Sequence, residues 1–379
     1  MSKEEKSNRV ACVYVGHLQF RGRLLKEIAA MKSRGYECDV TLGDLQLKPA
    51  NLDKLPFLVH PIEMRGKWGN GWLYFENFWF SIKAALHIAK TPPAIVYCFS
   101  IQALLTGVLV KLLCRNTKMV FDSNELFIEC FQHPVKKLLW RPIQKFGAHF
   151  SDLIIHAERN RREYYLKKHG ARSSRHEVLE NFPPFRELSG PNKPKADQRI
   201  RVIYFGVLGK DRFTRELVSI FHELEEYDLD LVGYFGEKWV EDEVRETIAN
   251  TEKTNVRLLP GVPQTELPKL LKDYHAGFAF YLNTNINNYY CAPNKVYDYL
   301  MNGLTVIANN YPGLNQVLEQ GKLGVCVDEV TKESIDEALV RLREECPWDQ
   351  ITEETRRNYS WDRQMEDYLG WLEELAPVT

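Results

Sequence analysis

A small group of polar side chains opens an otherwise apolar helical stretch in residues 291–313, CAPNKVYDYLMNGLTVIANNYPG. Pro293 suits the first position of a helix, so Asn294 and Lys295 would lie in its first turn. Free backbone N–H groups and the positive end of the helix dipole make such a turn an anion site. Asp298 follows roughly 5 Å further along the axis, where a carboxylate could accept hydrogen bonds from ribose hydroxyls. This order, diphosphate and then ribose, is that of a nucleotide sugar.

A second interpretation of the same spacing needs no ligand. Lys295 and Asp298 stand three residues apart, as in an exposed ion pair on a helix surface. Such a pair stabilises a helix by only about 0.2–0.5 kcal/mol. The residues alone leave both interpretations open.

The elements that would position this segment follow a strand, loop, helix order along the chain. An apolar run at residues 10–15, a glycine loop and a helical pattern lead into a second strand at 37–42. This order produces parallel strands. Similar runs at 94–99, 118–122 and 152–156 each precede helical sequence. We therefore expect doubly wound parallel sheets covered on both faces, which bind ligands at the carboxyl ends of their strands.

The domain organisation follows from length and from a change of composition. A chain of 379 residues exceeds what one core usually supports. The proline-rich and charge-rich stretch NFPPFRELSGPNKPKADQR is typical of a linker. We predict an N-terminal domain at 1–185, a linker at 186–198, a C-terminal domain at 199–357, and a helix at 358–379 that packs back toward the N-terminal domain.

Composition and charge limit the partners and the compartment. Fifty basic and fifty-one acidic residues give a net charge of -1, so no overall field attracts nucleic acid. The eight cysteines contain no CxxC pair and are typical of reduced thiols in a cytosolic protein. The charged start MSKEEKSNRV does not look like a signal peptide, so we expect a cytoplasmic location. The apolar stretch 94–110 is interpreted as a strand and a packed helix rather than as a membrane span.

The stretch 293–318, PNKVYDYLMNGLTVIANNYPGLNQVL, resembles the GT-B glycosyltransferases, and within them the glycosyltransferase family 4-like group. The segments at 179–185, 202–210, 256–281 and 358–369 resemble the same family. The resemblance implies a GT-B fold: two Rossmann-like domains facing a cleft, the first binding the acceptor and the second a UDP- or GDP-sugar. It implies transfer to a glycan or lipid-linked acceptor, with retention of configuration, in cell-surface polysaccharide or glycoconjugate biosynthesis.

The resemblance also implies roles for the donor site. Asp298 takes the place of the ribose-binding acid, where glutamate is commoner in the family. Asn294 and Lys295 would face the diphosphate. The backbone of Gly261 and Val262 would contact the base.

Catalytic cations are expected next to Gly206, in the loop after the first strand of the second domain. Family members often carry an arginine after this glycine and a lysine five residues later, but here these positions hold Val207 and Arg212, with Lys210 nearby. We expect Lys210 or Arg212 to neutralise the leaving phosphate, although both could be ordinary surface cations. The first of the family's two glutamates falls on Tyr290, which leaves the identity of the sugar open.

Acceptor-side residues are expected in the first domain. Gly16 and His17 follow its first strand, and Asn124 stands where related sequences often have a histidine. Asp122 and Glu125 are candidates to orient or deprotonate an acceptor hydroxyl, because a carboxylate in a partly dry site can have a raised pKa. Asp122 could equally cap a helix, and a loop histidine is often structural.

The segment 133–150, HPVKKLLWRPIQKFGAHF, mixes Lys136, Lys137, Arg141 and Lys145 with apolar residues, an arrangement that favours peripheral contact with the inner face of a membrane. Pro142 would interrupt this helix, and a solvated face beside a buried one explains the pattern as well.

The sequence also leads to expectations about cofactors and about other classes of protein. Since no DxD cluster appears near the proposed site, we expect no metal and no cofactor. The loop GHLQFRG lacks the GxGxxG pattern of a dehydrogenase. A sugar-nucleotide epimerase of GT-B-like fold and a non-catalytic nucleotide-sugar-binding subunit remain as alternatives.

Overall fold

The computed structural model describes residues 8–18, 22–44, 55–64, 72–131, 133–169, 174–188, 192–291 and 294–378. The chain divides into two compact units. Unit 1 comprises Met1–Glu180 and Gln364–Thr379, and unit 2 comprises Asn181–Arg363.

Unit 1 is built on a seven-stranded parallel sheet. Its strand order is β3-β2-β1-β4-β5-β6-β7, with strands β1 Arg9–Val15, β2 Glu37–Asp44, β3 Leu58–Glu63, β4 Ile95–Phe99, β5 Lys118–Ser123, β6 Leu153–His156 and β7 Arg175–Val178. Its helices are α1 Gly22–Ser33, α2 Trp72–Ile88, α3 Leu104–Leu113, α4 Phe127–Cys130, α5 Pro134–Phe150 and α6 Arg159–His169. A short 3-10 helix, Ile101–Ala103, precedes α3.

Unit 2 is built on a six-stranded parallel sheet. Its strand order is β10-β9-β8-β11-β12-β13, with strands β8 Arg201–Leu208, β9 Asp228–Phe235, β10 Val256–Pro260, β11 Ala276–Ala279, β12 Thr305–Asn309 and β13 Gly324–Val327. Its helices are α7 Thr214–Glu223, α8 Lys238–Ala249, α9 Leu267–Leu271, α10 Ile286–Tyr289, α11 Asn294–Met301, α12 Pro312–Leu318, α13 Lys332–Glu345 and α14 Glu353–Asn358. Short 3-10 helices lie at Lys210–Arg212 and Pro347–Gln350. The last helix, α15 Trp361–Leu375, starts in this unit and continues into unit 1 residues.

The winding of the second sheet explains where its ligand site should be. The chain runs from β8 through β9 to β10 on one side, and then returns to add β11 on the other side of β8. Ligands of open parallel sheets bind beyond the carboxyl ends of the strands at such a reversal. The loop after β8 and the segment leading from β11 into α11 therefore meet at one place.

A buried tyrosine fixes α11 against these two strands. The Tyr299 hydroxyl donates to the Ile203 carbonyl at 3.1 Å and accepts from the Phe205 N–H at 3.3 Å. A Cβ on Gly277 in β11 would lie 2.4 Å from the Tyr299 ring, so glycine provides the space for that ring. Tyr299 thereby holds α11 next to β8 and β11, where the strand order reverses.

The sequence predicted several of these elements correctly. The parallel sheets confirm the expected α/β architecture, and the stretch 94–110 is a strand followed by a packed helix. All eight cysteines are free thiols. The expected interruption at Pro142 was wrong, because α5 continues through it. Among the described residues, no helix is both long and apolar enough to cross a bilayer.

Residues 364–378 pack within unit 1. The Tyr36 hydroxyl donates to the Ala376 carbonyl at 2.8 Å. Arg34 pairs with Glu366, and Arg175 pairs with Glu374. Tyr368 and Leu372 are buried, so apolar contact accompanies these exposed ion pairs.

Candidate nucleotide-binding site

Lys295, in the first turn of α11, has a buried ammonium group without a hydrogen-bond partner in the described part of the chain. Its Nζ atom lies 3.7 Å from the centroid of the Tyr204 ring and 5.9 Å from that of Tyr281. Burial lowers the pKa of Lys295 well below its ordinary value, and the nearby Arg212 lowers that pKa further. Aromatic rings stabilise a cation only partly. Among the described residues, no acceptor supplies the rest of that stabilisation.

Gly206, near the end of β8, makes room for this lysine. Its φ of +109° lies in the region that favours glycine. A Cβ at this position would lie 3.3 Å from Lys295 Cε and 3.7 Å from its Nζ. The predicted donor residues Gly206 and Lys295 are therefore in direct contact.

Arg212 adds a second cation to the same place. The short 3-10 helix that follows β8 brings its guanidinium 4.5 Å from the centroid of the Tyr281 ring. Its Nη1 donates to the Asp211 carbonyl at 3.0 Å. The Tyr281 ring therefore has two basic side chains within 6 Å of its centroid. Lys210, the other predicted phosphate ligand, is exposed to solvent.

Asp298 lies one turn further along α11 and is only 9% exposed. Gln264 Nε2 donates a long hydrogen bond of 3.5 Å to its Oδ1, and Asn302 Nδ2 donates to its backbone carbonyl at 2.7 Å. The interpretation of Lys295 and Asp298 as an exposed ion pair does not fit, because the ammonium is buried and unpaired. Asn294 is exposed at the start of α11, and the predicted helix-starting Pro293 lies outside the described residues.

Glycines line the carboxyl ends of three neighbouring strands. Gly206 pairs with Gly233 of β9, whose own Cβ would lie 1.8 Å from the Gly206 carbonyl. Gly261 follows β10, and a Cβ there would lie 3.3 Å from Gly233 Cα. Val262 is 36% exposed beside it. The missing side chains let the backbones of these neighbouring strand ends approach each other closely. Tyr290 lies between α10 and α11, with its ring centroid 5.0 Å from that of Tyr289.

The predicted acceptor-side carboxylates have different surroundings in unit 1. Asp122 is fully buried at the end of β5, where Arg23 Nε donates to its Oδ2 at 3.0 Å. Arg23 also pairs with Glu27 Oε1 at 2.9 Å, so one guanidinium contacts two carboxyl groups. Burial raises the pKa of Glu27 well above its ordinary value, and the adjacent Asp122 raises it further. Glu125, in contrast, is exposed.

The other acceptor-side residues lie on loops of the same unit. Gly16 has a φ of +132°, and its N–H donates to the Gly43 carbonyl at 3.1 Å. His17 is half-buried next to it. The Asn124 carbonyl accepts from Arg161 Nη1 at 2.8 Å. All three residues therefore follow strands of the first sheet.

Sequence reasoning missed the two tyrosine rings near Lys295 and the buried network of unit 1. Tyr204 and Tyr281 stand in apolar strand patterns, which indicate core positions. Arg23 and Glu27 have the spacing of a helical ion pair, and this spacing was the available signal. Among the described residues, no cluster of three histidine, cysteine or acidic side chains could hold a metal ion.

A family model described as glycosyl transferase-like matches residues 212–370, which include Arg212, Lys295 and Asp298. The fold matches that of HepE from Anabaena, solved with UDP and glucose, with a TM-score of 0.72 and 13% identity over 96% of this chain and 99% of that one. Residues 212–370 therefore carry a glycosyl transferase-like domain, and the chain has the GT-B fold. A glycosyltransferase from Rickettsia africae gives a TM-score of 0.71 at 16% identity, covering 99% of this chain and 100% of that one.

The same fold is also found in proteins with another activity. A putative UDP-N-acetylglucosamine 2-epimerase from Listeria monocytogenes gives a TM-score of 0.60 at 12% identity, over 97% of this chain and 96% of that one. No curated protein matches the sequence. The assignment to the glycosyltransferases as a class therefore comes from the family model together with the fold.

Proposed function

We propose that the protein is a glycosyltransferase that takes its sugar from a UDP- or GDP-sugar, and that Lys295 and Arg212 bind the diphosphate while Asp298 binds the ribose. One observation carries the proposal: the Lys295 ammonium is buried without an acceptor in the described chain. A buried charge is costly unless it is paired, and a phosphate oxygen would supply a strong charge-assisted hydrogen bond. The UDP in the HepE structure supports this choice of ligand class.

The same cations would assist the chemical step. As the glycosidic bond breaks, negative charge develops on the departing diphosphate, and fixed cations stabilise that charge more than they stabilise the intact donor. Arg212 is positioned by its own 3-10 helix and by the Tyr281 ring, whereas Lys210 is exposed and would move onto the phosphate. The glycine-lined strand ends at Gly261 and Val262 would receive the base, and the position of Tyr290 would be close to the sugar.

For the acceptor, we propose a class of molecule and the residues that line it. The acceptor would be a glycan or a lipid-linked sugar, transfer would retain configuration, and the product would enter cell-surface polysaccharide or glycoconjugate synthesis. Glu125 is the exposed carboxylate of the two predicted candidates, whereas Asp122 contacts Arg23. Gly16, His17 and Asn124 would line the acceptor. We place the enzyme in the cytoplasm, with residues 133–150 in contact with the inner face of a membrane.

Assays with nucleotide sugars distinguish this proposal from its alternatives. The protein would be incubated with UDP- and GDP-sugars, with and without extracted lipids and glycans, and released nucleoside diphosphate would be measured together with the sugar that remains. Acceptor-dependent release of UDP or GDP, undiminished by a chelator, is the expected result. Conversion of the donor sugar to its epimer without acceptor would favour the epimerase. Donor binding without any turnover would favour the non-catalytic subunit.

A further inference from the structure

Helix α5 presents an apolar stripe to solvent rather than to the core. Its buried side chains include Trp140, Gln144 and Ala148. Successive helical residues are offset by 100°, which places a second set of apolar side chains on the opposite side. These four are 48–66% exposed: Val135, Leu138, Leu139 and Phe146. Single exposed apolar residues are ordinary, but a continuous stripe marks an interaction site.

Helix α2 carries a stripe of the same kind. Phe80, Ala84 and Ile88 are buried in unit 1. Four larger side chains with the spacing of one helix face are 49–64% exposed: Phe75, Phe78, Trp79 and Leu86. Both helices pack on α3, whose terminal Leu112 and Leu113 are also exposed. We call this combined surface of α2, α5 and the end of α3 the apolar face.

The two stripes meet in a groove of about 730 Å³. Its walls are formed by Phe75, Phe78 and Trp79 of α2 and by His133, Val135, Lys136 and Leu139 near the start of α5. The walls are almost wholly apolar, and Lys136 brings a cation to them. An apolar chain with an anionic head fits this combination better than a polar ligand does.

The charges beside the apolar face have one sign on α5. This helix carries Lys136, Lys137, Arg141 and Lys145 and no carboxylate. Lys137 lies 3.5 Å from Glu129, which neutralises it in part. Arg141 and Lys145 are exposed next to Leu138 and Phe146. A helix with an apolar face and lysine or arginine at its margins is typical of proteins that lie in the interface of an anionic bilayer.

We propose that the apolar face inserts into the headgroup region of an anionic lipid bilayer, with α2 and α5 both parallel to the membrane plane and an acyl chain in the groove between them. The proposal rests on the membrane contact assigned to residues 133–150 in the proposed function. It adds α2 and its exposed side chains Phe75, Phe78 and Trp79. A second copy of the chain fits less well, because a two-fold contact would bring the α5 cations of both copies together.

The test is co-sedimentation of the full chain with vesicles of phosphatidylcholine alone or mixed with phosphatidylglycerol. The unaltered protein should bind the mixed vesicles and leave most protein free with the neutral ones. Trp79→Ser and Phe146→Ser should each weaken binding to the mixed vesicles by about tenfold. Arg141→Gln with Lys145→Gln should weaken it by a similar factor and remove its salt dependence. Leu58→Ser, which changes an exposed leucine outside the apolar face, is the matched control.

Two further measurements separate this proposal from donor binding. Phe146→Ser should bind UDP as the unaltered protein does, and Lys295→Met should bind vesicles normally. Vesicle binding that is absent, or that persists unchanged in Trp79→Ser and Phe146→Ser, would overturn the proposal while leaving donor binding intact. A dimer in sedimentation that Phe146→Ser dissociates, without vesicle binding, would overturn it in favour of a second copy.

Discussion

The Nζ atom of Lys295 lies 3.7 Å from the centroid of the Tyr204 ring, in a site where burial and Arg212 both lower the lysine pKa. The face of an aromatic ring favours the charged form of a lysine. Neither residue completes the site without an anion, because a π-face replaces only part of the hydration that an ammonium loses. We propose that a diphosphate oxygen supplies the acceptor that this ammonium lacks among the described residues.

Changing Tyr204 separates the ring from its hydroxyl. The hydroxyl is buried without a hydrogen-bond partner among the described residues, so Tyr204→Phe should leave UDP affinity within about twofold and raise the free energy of unfolding by up to about 1 kcal/mol. Tyr204→Leu removes the ring and should weaken UDP binding by about fivefold or more. Titration calorimetry and urea unfolding of both variants check this. Equal UDP affinities for the two variants would count against a role for the ring.

Lys295→Met should stabilise the unliganded protein. The folded-state pKa of this lysine is lowered, so the unfolded chain binds more protons at neutral pH and the lysine destabilises the fold there. We expect the variant to unfold at a higher urea concentration at pH 7 than the unaltered protein. Its free energy of unfolding should be larger by roughly 1–3 kcal/mol. The difference should shrink as pH rises toward the ordinary lysine pKa. A lower stability of Lys295→Met at pH 7 would contradict the desolvated lysine.

Gly206→Ala should damage the donor site through Lys295. The added Cβ would lie 3.3 Å from Lys295 Cε, on a backbone whose φ is +109°. We expect a loss of about 1–3 kcal/mol in stability and a loss of UDP binding of at least about tenfold. Gly370→Ala in α15 is the control, because a Cβ there meets nothing within 4 Å and should be neutral or stabilising. Unchanged UDP affinity in Gly206→Ala would separate this glycine from the donor site.

Glu27→Gln tests the buried network around Arg23. The Tyr97 hydroxyl lies 3.0 Å from Glu27 Oε2, and the carboxyl pKa is raised by burial and by Asp122. A raised pKa means that the folded state binds the extra proton, so stability falls as pH rises from the ordinary glutamate pKa through the raised one. Unfolding of the unaltered protein should show this fall, and Glu27→Gln, which cannot ionise, should show less of it. A steeper fall in the variant would contradict a protonated Glu27.

Part of the candidate site could be predicted from sequence because its signal is local. Asn294, Lys295 and Asp298 lie within five consecutive positions, and Gly206 lies within a recognisable strand pattern. The partners of these residues are not local. Tyr204 lies in β8 and Tyr281 lies just after β11, and neither ring differs in pattern from a core residue.

The first unit shows the same limit. Arg23 and Asp122 are 99 positions apart, and no pattern connects them. Helix α5 was predicted as a basic amphipathic segment, but periodicity cannot say which apolar stripe faces the core and which faces solvent. The burial of Phe80 and the exposure of Trp79, adjacent in sequence, depend on tertiary packing alone.

The assignment of Lys295 to the diphosphate is tested by titration calorimetry with UDP and GDP. The unaltered protein, Lys295→Met and Lys269→Met would each be measured in two buffers of different ionisation enthalpy. Lys269 is exposed on α9 and serves as the matched control. We expect at least one nucleotide to bind with proton uptake, with affinity retained in Lys269→Met and reduced by at least about a hundredfold in Lys295→Met. Equal affinity in all three proteins would contradict the assignment of Lys295 to the diphosphate.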